Sequence, residues 1–236
     1  MIKLVYQTKL GKLYLGDSFY LSDLISDCQL IIADPPYGQE YRQWEKNQVS
    51  LIGDSPNNLP HLEKIYERLS ECMKNGYLFS FCSWKTYCKW EEIISRYFRI
   101  KNRILWIKDN WTAGDLYYQL GQQYEEIIFA VKGRPPPVKK RYSDVWYFRR
   151  TKHRDHPTQK PRGLIMRMLE IATNEGDLVV DPFSGSGTVP SACEAMGRRW
   201  IAAEIDENFA NCIIERLKQL PLRRHSNGSG INTQNL

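Results

Sequence analysis

The stretch LIIADPPY, residues 30–37, decides the fold. Its first four residues form a continuous apolar run, which is typical of a strand buried in a parallel sheet. Asp34, Pro35, Pro36 and Tyr37 follow at the carboxyl end of that strand, where ligands bind in open α/β sheets. A carboxylate, two rigid prolines and an aromatic ring at this place are suited to holding an exocyclic amino group on a planar base.

Outward from this strand, helical and strand patterns alternate along the chain. Strands are predicted at 12–15, 77–82, 103–108, 126–132, 178–180 and 200–203, and helices at 20–27, 61–75, 85–97, 164–173, 189–196 and 209–220. The alternation predicts an α/β fold with a doubly wound, mostly parallel sheet. A polar stretch at 38–60 is predicted to be a long loop, and the polar tail 226–236 is predicted to be disordered.

A second loop, DPFSGSGT at residues 181–188, lies between a predicted strand and a predicted helix. Gly185 and Gly187 allow a tight turn and a close approach of the backbone to a ligand. The next strand ends at Glu204, where nucleotide-binding folds place an acid that bonds ribose hydroxyls. The loop lacks the G-K-[ST] of a Walker motif and the full G-x-G-x-x-G of dinucleotide enzymes. The pattern therefore favours an adenosine ligand that bears a carboxylate rather than a pyrophosphate.

Composition narrows the class of protein. The chain has 236 residues and is 42% hydrophobic, which suits one folded domain. Its apolar runs are too short to span a bilayer, and its first residues lack the apolar core of a signal peptide. The six cysteines form no C-x-x-C pair, so we expect reduced thiols, no metal site and a cytoplasmic location.

The net charge of +6 is concentrated in one segment. Residues 132–154 hold nine Lys or Arg and one acid, so they carry +8 and the rest of the chain carries −2. Aromatic residues interrupt this run, and basic segments of that kind are typical of nucleic-acid surfaces. The candidate DNA-binding residues are Lys139, Lys140, Arg141, Arg149, Arg150, Lys152 and Arg154. A solvated loop between two elements is the alternative interpretation.

Three motifs carry a resemblance to a known family. D-P-P-Y at 34–37, H-P-T-Q-K-P at 156–161 and D-P-F-S-G-S-G-T at 181–188 occur in the order found in the β-class amino-methyltransferases of DNA. The resemblance covers roughly residues 12–220. It implies a Rossmann-like fold with a seven-stranded, circularly permuted sheet, in which the catalytic half precedes the cofactor half. It also implies S-adenosylmethionine as the methyl donor and a bacterial, phage or mobile-element source, often a restriction–modification system.

The resemblance also implies roles for individual residues. Asp34 and the Pro35 carbonyl would accept hydrogen bonds from the target amino group, and Tyr37 would stack on the extruded base. Glu204 would hold the ribose, Asp17 would contact the adenine side of the cofactor, and Lys160 would reach its methionine carboxylate. The cofactor loop would comprise Phe183, Ser184, Gly185, Gly187 and Thr188, with Asp34 and Asp181 beside it. The family usually has His before the strand that starts near Glu125, and here Tyr124 stands in that place.

The chemistry explains why these residue types are needed. The lone pair of an aromatic amino group is delocalised into the ring, so two acceptors aimed at its N–H bonds favour a pyramidal, nucleophilic nitrogen. Proline fixes its own φ and so holds its carbonyl in place. A base in a duplex has to be flipped out to reach such a pocket, and stacking on Tyr37 offsets about 1–3 kcal/mol of that cost. Cytosine C5 methylation is excluded because it needs a nucleophilic Cys, usually after Pro, and no cysteine here follows Pro.

Several alternatives stay open at the level of sequence. The family's D-P-P-Y motif favours adenine N6 over cytosine N4. An RNA adenine methyltransferase and an inactive nucleic-acid-binding subunit are further alternatives, disfavoured by Tyr37 and by the intact cofactor loop. We expect one methyltransferase domain over 1–225, with a catalytic half at 12–132, a short basic recognition segment at 133–155 and a cofactor half at 156–220. Because that segment is short, we expect either a short recognition sequence in double-stranded DNA or a homodimer that supplies further contacts.

Overall fold

The computed structural model describes residues 2–38, 54–111, 117–151 and 159–220. Its strands are β1 Ile2–Gln7, β2 Gly11–Gly16, β3 Leu30–Ala33, β4 Gly76–Cys82, β5 Arg99–Ile107, β6 Tyr124–Lys132, β7 Val145–Tyr147, β8 Leu178–Asp181 and β9 Arg199–Glu204. Its α-helices are α1 Leu59–Glu71, α2 Tyr87–Ser95, α3 Arg162–Ala172, α4 Thr188–Met196 and α5 Glu207–Lys218. Short 3₁₀ helices lie at Ser18–Leu24 and Pro56–Asn58. Most predicted elements are therefore present, with ends that move by a few residues.

The strands form one sheet in the order β1-β2-β9-β8-β3-β4-β6-β5-β7. The strands from β2 through β9, β8 and β3 to β4 are parallel, and β7 is parallel to β5. β6 runs antiparallel to both β4 and β5, and β1 antiparallel to β2. A doubly wound, mostly parallel sheet is confirmed. The described residues contribute nine strands rather than the seven expected, because β1 and β7 extend a seven-stranded centre at its two edges.

Helices cover both faces of the sheet. On one face, α1 and α2 bury side chains such as Leu62, Ile65 and Trp90 against β3, β4 and β6. On the other face, α3, α4 and α5 bury side chains such as Leu164 and Ile213. This double cover explains why β3, β4 and β8 are continuous apolar runs, since every one of their residues is buried.

The strand order reverses direction between β3 and β8. From β3 the chain passes through α1 to β4 on one side, and from β8 it passes through α4 to β9 on the other side. A crevice opens at such a switch point, outside the carboxyl ends of the two strands. Asp34 directly follows β3 and Asp181 ends β8, so the two predicted motifs meet there although most of the chain separates them. The chain therefore has the permuted order that the resemblance implies, in which the catalytic half precedes the cofactor half.

Two predicted segments lie wholly or largely outside the described residues. The predicted loop 38–60 is described at Gly38 and from Asp54 onward, where a 3₁₀ helix precedes α1. The tail 226–236 falls entirely outside the described part of the chain. Gly38 is tied to the later end of the loop, because its N–H donates a 2.7 Å hydrogen bond to Oδ1 of Asp54.

Candidate active site

A cavity that is partly open to solvent lies at the switch point between β3 and β8. It is lined by Ile32, Asp34, Phe81, Lys160, Ile165, Asp181, Phe183, Ser184, Gly185, Ser186, Thr188 and Val189. Asp34 comes from the motif at 34–37, and Lys160 comes from the motif at 156–161. Most of the other polar lining residues come from the loop at 181–188. The structure therefore brings together in one place three motifs that are far apart in the sequence.

Asp34 holds the centre of the cavity with both carboxylate oxygens engaged. Oδ1 accepts a 2.8 Å hydrogen bond from the Tyr37 hydroxyl, and Oδ2 lies 2.7 Å from Nζ of Lys160. Burial raises the pKa of Asp34, and the ammonium of Lys160 opposes that change. Burial also raises the pKa of Tyr37 well above its ordinary value, so the phenol keeps its proton and donates a hydrogen bond to Asp34. About 27% of the Asp34 side chain remains exposed.

Lys160 is buried and serves two carboxylates. Besides Asp34, its Nζ lies 3.2 Å from Oε2 of Glu125, and it sits 4.8 Å from the centroid of the Phe81 ring. Burial alone would lower the pKa of Lys160, but Asp34 and Glu125 raise it above its ordinary value, so the side chain is charged. The backbone of Lys160 is tied to the third motif, because its carbonyl accepts a 3.4 Å hydrogen bond from Oγ1 of Thr188.

Glu125 and Lys108 extend this group of charges, although neither was predicted as a site residue. Oε1 of Glu125 lies 2.7 Å from Nζ of Lys108, which is itself buried. Burial opposes the ionisation of Glu125, but Lys160 and Lys108 together lower its pKa to about 2. The result is a chain of alternating charges, Lys108, Glu125, Lys160 and Asp34, in which each neighbour compensates the next.

The loop at 181–188 takes the tight conformation that its glycines predict. Gly185 and Gly187 have φ of 49° and 72°, in the left-handed region that favours glycine. The loop is pinned from within, since the Gly187 N–H donates to the Ser184 carbonyl at 2.7 Å. It is also pinned from α5, since Nη1 of Arg216 donates to the Ser186 carbonyl at 2.5 Å. These contacts fix the backbone before any ligand binds.

Two buried acids support this loop in different ways. Glu204 accepts hydrogen bonds from the backbone N–H groups of Gly185, Ile205 and Asp206 at 2.6, 2.9 and 3.0 Å. It therefore holds the loop, and a carboxylate retains room for about one further donor. Asp181 uses Oδ1 to accept from Phe183 N at 3.3 Å, while its buried Oδ2 has no hydrogen-bond partner among the described residues. Burial raises the pKa of Asp181 to about 8.

Asp17 lies at the end of β2 and already has two partners. Its Oδ1 accepts from Phe19 N at 2.9 Å and so caps the 3₁₀ helix Ser18–Leu24. Its Oδ2 lies 2.8 Å from Nε2 of His61, whose ring stacks on Phe19. His61 was not predicted as a site residue, because it comes from the start of α1 and no local motif contains it.

The candidate DNA-binding residues that the structure describes lie at opposite ends of the strands, some near the carboxyl ends, which form the carboxyl edge of the sheet, and others at the far end from the cavity. Lys139, with Lys140 and Arg141 next to it, lies at the end of α3 distant from the cavity, since its N–H donates to the Ile171 carbonyl. The chain then returns along β7, and Arg149 and Arg150 emerge at the carboxyl edge, where Arg150 N donates to Oδ1 of Asp109 at 2.9 Å. Lys152 and Arg154 lie outside the described residues.

The aromatic side chains of the basic segment mostly face the protein. Tyr142, Trp146 and Phe148 pack around the guanidinium of Arg167 on α3, at 4.9, 5.5 and 4.5 Å from Cζ to the ring centroids. Tyr147 instead is 73% exposed. The interleaved aromatics that suggested a continuous nucleic-acid surface therefore serve chiefly to hold the segment on the fold.

Sequence reasoning missed Lys108 and Glu125, although one signal was present. Glu125 and Glu126 stand next to each other at the start of an apolar, buried strand. Buried carboxylates need compensating charges, so this pair predicts two cations nearby. Those cations are Lys108 and Lys160 for Glu125, and Arg103 for Glu126, on opposite faces of the sheet.

Other classes of site find no support in the described ranges. Those residues contain no group of His, Cys, Asp and Glu side chains able to hold a metal ion. They also contain no helix with the length and apolar character needed to cross a bilayer. All six cysteines are free thiols.

Comparisons with known proteins agree with the site. The chain is 29% identical to the type II methyltransferase M.BamHI of Bacillus amyloliquefaciens, over 92% of this chain and 59% of that protein. It is 28% identical to the DNA adenine methyltransferase YhdJ of Escherichia coli (strain K12), over 80% of this chain and 75% of that protein. A solved structure, the complex of M1.HpyAVI with SAM, superposes with a TM-score of 0.68 at 25% identity and covers 88% of this chain and 100% of that one.

The family itself is established over most of the chain. The N6_N4_Mtase family model, described as DNA methylase, matches residues 28–216. That range includes Asp34, Lys160 and the loop 181–188, which are the residues that meet in the cavity. The protein is therefore a member of the DNA methylase family.

Proposed function

We propose that the protein transfers the methyl group of S-adenosylmethionine to the N6 amino group of adenine in DNA. The observation that carries this proposal is the shared cavity, in which the Asp34 carboxylate and the glycine-rich loop of β8 face the same space. An acceptor for an amino group and a cradle for an adenosine cofactor thereby lie within reach of one another. The names of the relatives, a DNA adenine methyltransferase and type II methyltransferases, support the same reaction.

The residues present fit such a cofactor. The left-handed Gly185 and Gly187 leave room for close approach, and Oδ2 of Asp181 is a buried acceptor without a partner among the described residues. An ammonium donor, such as the amino group of a methionine moiety, would satisfy that atom. Phe183 and Ser184 would line the same ligand, and Glu204 would offer its remaining acceptor capacity to a ribose hydroxyl. When bound, the cofactor supplies an activated sulfonium methyl group.

The protein's own residues prepare the nucleophile. Asp34, paired with the ammonium of Lys160, would accept one N–H of the target amino group, and the carbonyl of the buried Pro35 would accept the other. Both acceptors are fixed in advance, so they favour the pyramidal nitrogen that attacks the methyl group, and positioning of this kind is worth several kcal/mol of the barrier. Tyr37 lies beside Asp34, and its ring would stack on the entering base. No covalent enzyme intermediate is required.

Adenine is the proposed base because of the D-P-P-Y motif and the named relative. The runner-up is cytosine N4, whose amino group offers the same two N–H bonds to Asp34 and Pro35. An RNA adenine methyltransferase or an inactive binding subunit is less well supported, since the loop and the acid are both in place.

Duplex DNA is the proposed polymer, approached from the carboxyl edge of the sheet. Arg149, Arg150 and the exposed Tyr147 lie at this edge, whereas Lys139, Lys140 and Arg141 lie at the other. We therefore assign phosphate contacts near the target base to Arg149 and Arg150. A homodimer would let the far basic residues meet the same duplex. We place the enzyme in the cytoplasm of a bacterial cell, encoded by a chromosome, phage or mobile element.

The test measures transfer and identifies the product. Purified protein is incubated with labelled S-adenosylmethionine and unmethylated duplex DNA, single-stranded DNA or RNA, and the modified nucleoside is identified by mass spectrometry. We expect N6-methyldeoxyadenosine from duplex DNA. Asp34→Ala should lose the product by at least about a thousandfold, because the acceptor is gone. Asp23→Ala, which removes a surface carboxylate paired with Arg68, is the matched control and should retain activity. N4-methyldeoxycytidine as the product would replace adenine by the runner-up, and label retained by Asp34→Ala would refute the mechanism.

A further inference from the structure

Each oxygen of the proposed acceptor already has one donor in the resting protein. Oδ1 of Asp34 holds the Tyr37 hydroxyl and Oδ2 holds Nζ of Lys160, at 2.8 and 2.7 Å. An incoming amino group needs at least one of these oxygens. A carboxylate accepts about four donors, so the amino group would share these oxygens with Tyr37 and Lys160. The hold of the Lys160 ammonium on Oδ2 therefore decides how well that oxygen accepts the amino group.

Lys160 is the donor that can leave Asp34 without becoming unpaired. Its Nζ already lies 3.2 Å from Oε2 of Glu125, a second carboxylate. Lys160 and Lys108 are each about 8% exposed, and Glu125 is 20% exposed, so water does little to stabilise these charges. A buried ammonium that lost its single counter-ion would pay a large desolvation penalty. With Glu125 present, the ammonium can move away from Asp34 and still be paired with a carboxylate.

Lys108 fixes the geometry of this second partner. It lies just past the end of β5 and binds Oε1 of Glu125 at 2.7 Å, which leaves Oε2 directed at Lys160. The side chain of Lys108 also packs 5.2 Å from the centroid of the Trp106 ring. Lys108 thus holds Oε1 of Glu125, and Oε2 lies at ion-pair distance from Lys160.

We propose that Glu125 is a positioning residue for base entry: it draws the Lys160 ammonium toward itself, so that the Asp34 oxygen paired with Lys160 can accept the target amino group. The proposal rests on the proposed function, since it describes how the same acceptor becomes available. Glu125 would act through Lys160, and Lys108 would hold Glu125 in place. Neither Glu125 nor Lys108 belongs to the motifs from which the site was predicted.

The substitution Glu125→Gln tests this role, because it keeps the shape of the side chain and removes its charge. Lys160 should then stay on Asp34 and compete with the entering base. With unmethylated λ DNA as substrate and saturating cofactor, we expect the KM for DNA to rise about tenfold or more, while the Kd for S-adenosylhomocysteine changes less than about twofold. The matched control is Glu126→Gln. Glu126 is the neighbouring carboxylate on the same strand, paired with Arg103 on the other face, and its loss should leave that KM unchanged.

A readout without turnover separates this proposal from the proposed function. Saturation-transfer NMR with 2′-deoxyadenosine and 2′-deoxycytidine, in the presence of S-adenosylhomocysteine, measures occupancy of the base site directly. We expect Glu125→Gln to weaken nucleoside binding and Glu126→Gln to leave it intact. If the wild-type protein binds nucleoside in this way but transfers no methyl group, the proposed function fails and the role of Glu125 stands. Equal behaviour of the two variants overturns the role of Glu125, whatever the activity, and a wild-type site that binds neither nucleoside overturns both.

A double-mutant cycle with Lys160 asks whether Glu125 acts through that residue. Adding Glu125→Gln to Lys160→Met should change nucleoside binding less than about threefold, because the competing ammonium is already gone. Fully additive losses would contradict the proposal. Should Glu125→Gln fail to fold, as judged by thermal unfolding, Lys108→Met gives the same test: it releases Glu125 and should raise the KM for DNA about threefold to tenfold, whereas an unchanged KM would count against the proposal.

Discussion

Gly187 and Ile213 pack so closely that a Cβ placed on Gly187 would lie 2.8 Å from Cγ2 of Ile213. The cofactor loop is therefore pressed against α5, and the left-handed backbone at Gly187, with φ of 72°, allows this contact. The close approach sets the position of the loop relative to the rest of the fold.

Gly187→Ala should both strain the backbone and push the loop away from α5. We expect the protein to lose about 2–4 kcal/mol of unfolding free energy and about tenfold or more in affinity for S-adenosylhomocysteine, measured by thermal unfolding and calorimetry. Gly176→Ala is the matched control, because Gly176 has φ of 83° and nothing within 4 Å of its added Cβ. It should show the strain alone and normal binding. Equal losses of affinity in both variants would show that steric contact with Ile213 is unimportant.

Asp181 should make the stability of the ligand-free protein depend on pH. Burial raises its pKa to about 8 from an ordinary value of 3.8, so the folded protein holds this proton more tightly than the unfolded chain. This contribution to stability is fully present below about pH 4 and is lost as the pH rises toward 8. Asp181→Asn stays neutral throughout and should remove the slope. Unfolding midpoints in denaturant at several pH values provide the measurement, and parallel curves for wild type and variant would contradict the expectation.

Arg149 and Arg150 should matter for DNA binding more than Lys139 and Lys140 do. The two arginines emerge beside the carboxyl ends of β5 and β7, on the same edge as Asp34, while the two lysines lie at the far end of α3. Replacing both arginines by Ala should weaken binding to λ DNA fragments about tenfold or more and reduce the salt dependence by about one unit per lost phosphate contact. Replacing both lysines by Ala is the charge-matched control. A larger loss of DNA affinity in the lysine variant would contradict this expectation. It would place the duplex at the end of α3 distant from Asp34, or across a dimer.

The sequence predicted the centre of the fold well because burial on two faces leaves a strong local signal. The apolar runs of β3, β4 and β8 are unambiguous, and the motifs that follow β3 and β8 are tied to strand ends. The edge strands β1 and β7 were not predicted, because they lack this signal of burial on two faces. No residue of β1 is fully buried and its apolar run is short, and the three residues of β7 stand inside a basic segment, so pairing with β2 and β5 defines them as strands.

The partners of Lys160 could not be predicted from sequence. Its motif marks the residue, but the carboxylates that it meets are contributed by the end of β3 and the start of β6. Nothing local to 156–161 specifies those distances, which depend on the order of strands in the sheet. The same holds for the basic segment, since a run of charges does not reveal that the chain crosses from one edge of the sheet to the other within it.

The pairing of β3 with β8 has a consequence for how the chain acquires its shape during synthesis. β3 has two neighbours, β4 and β8, and β8 is made long after β4. Until β8 emerges, Leu30–Ala33 is an apolar strand with one open edge, a template for pairing with other chains. Closing that edge joins residues far apart in sequence, which makes it a slow and late step. A growing chain thus carries an aggregation-prone strand edge beside Asp34, and truncations before β8 should be insoluble as well as inactive.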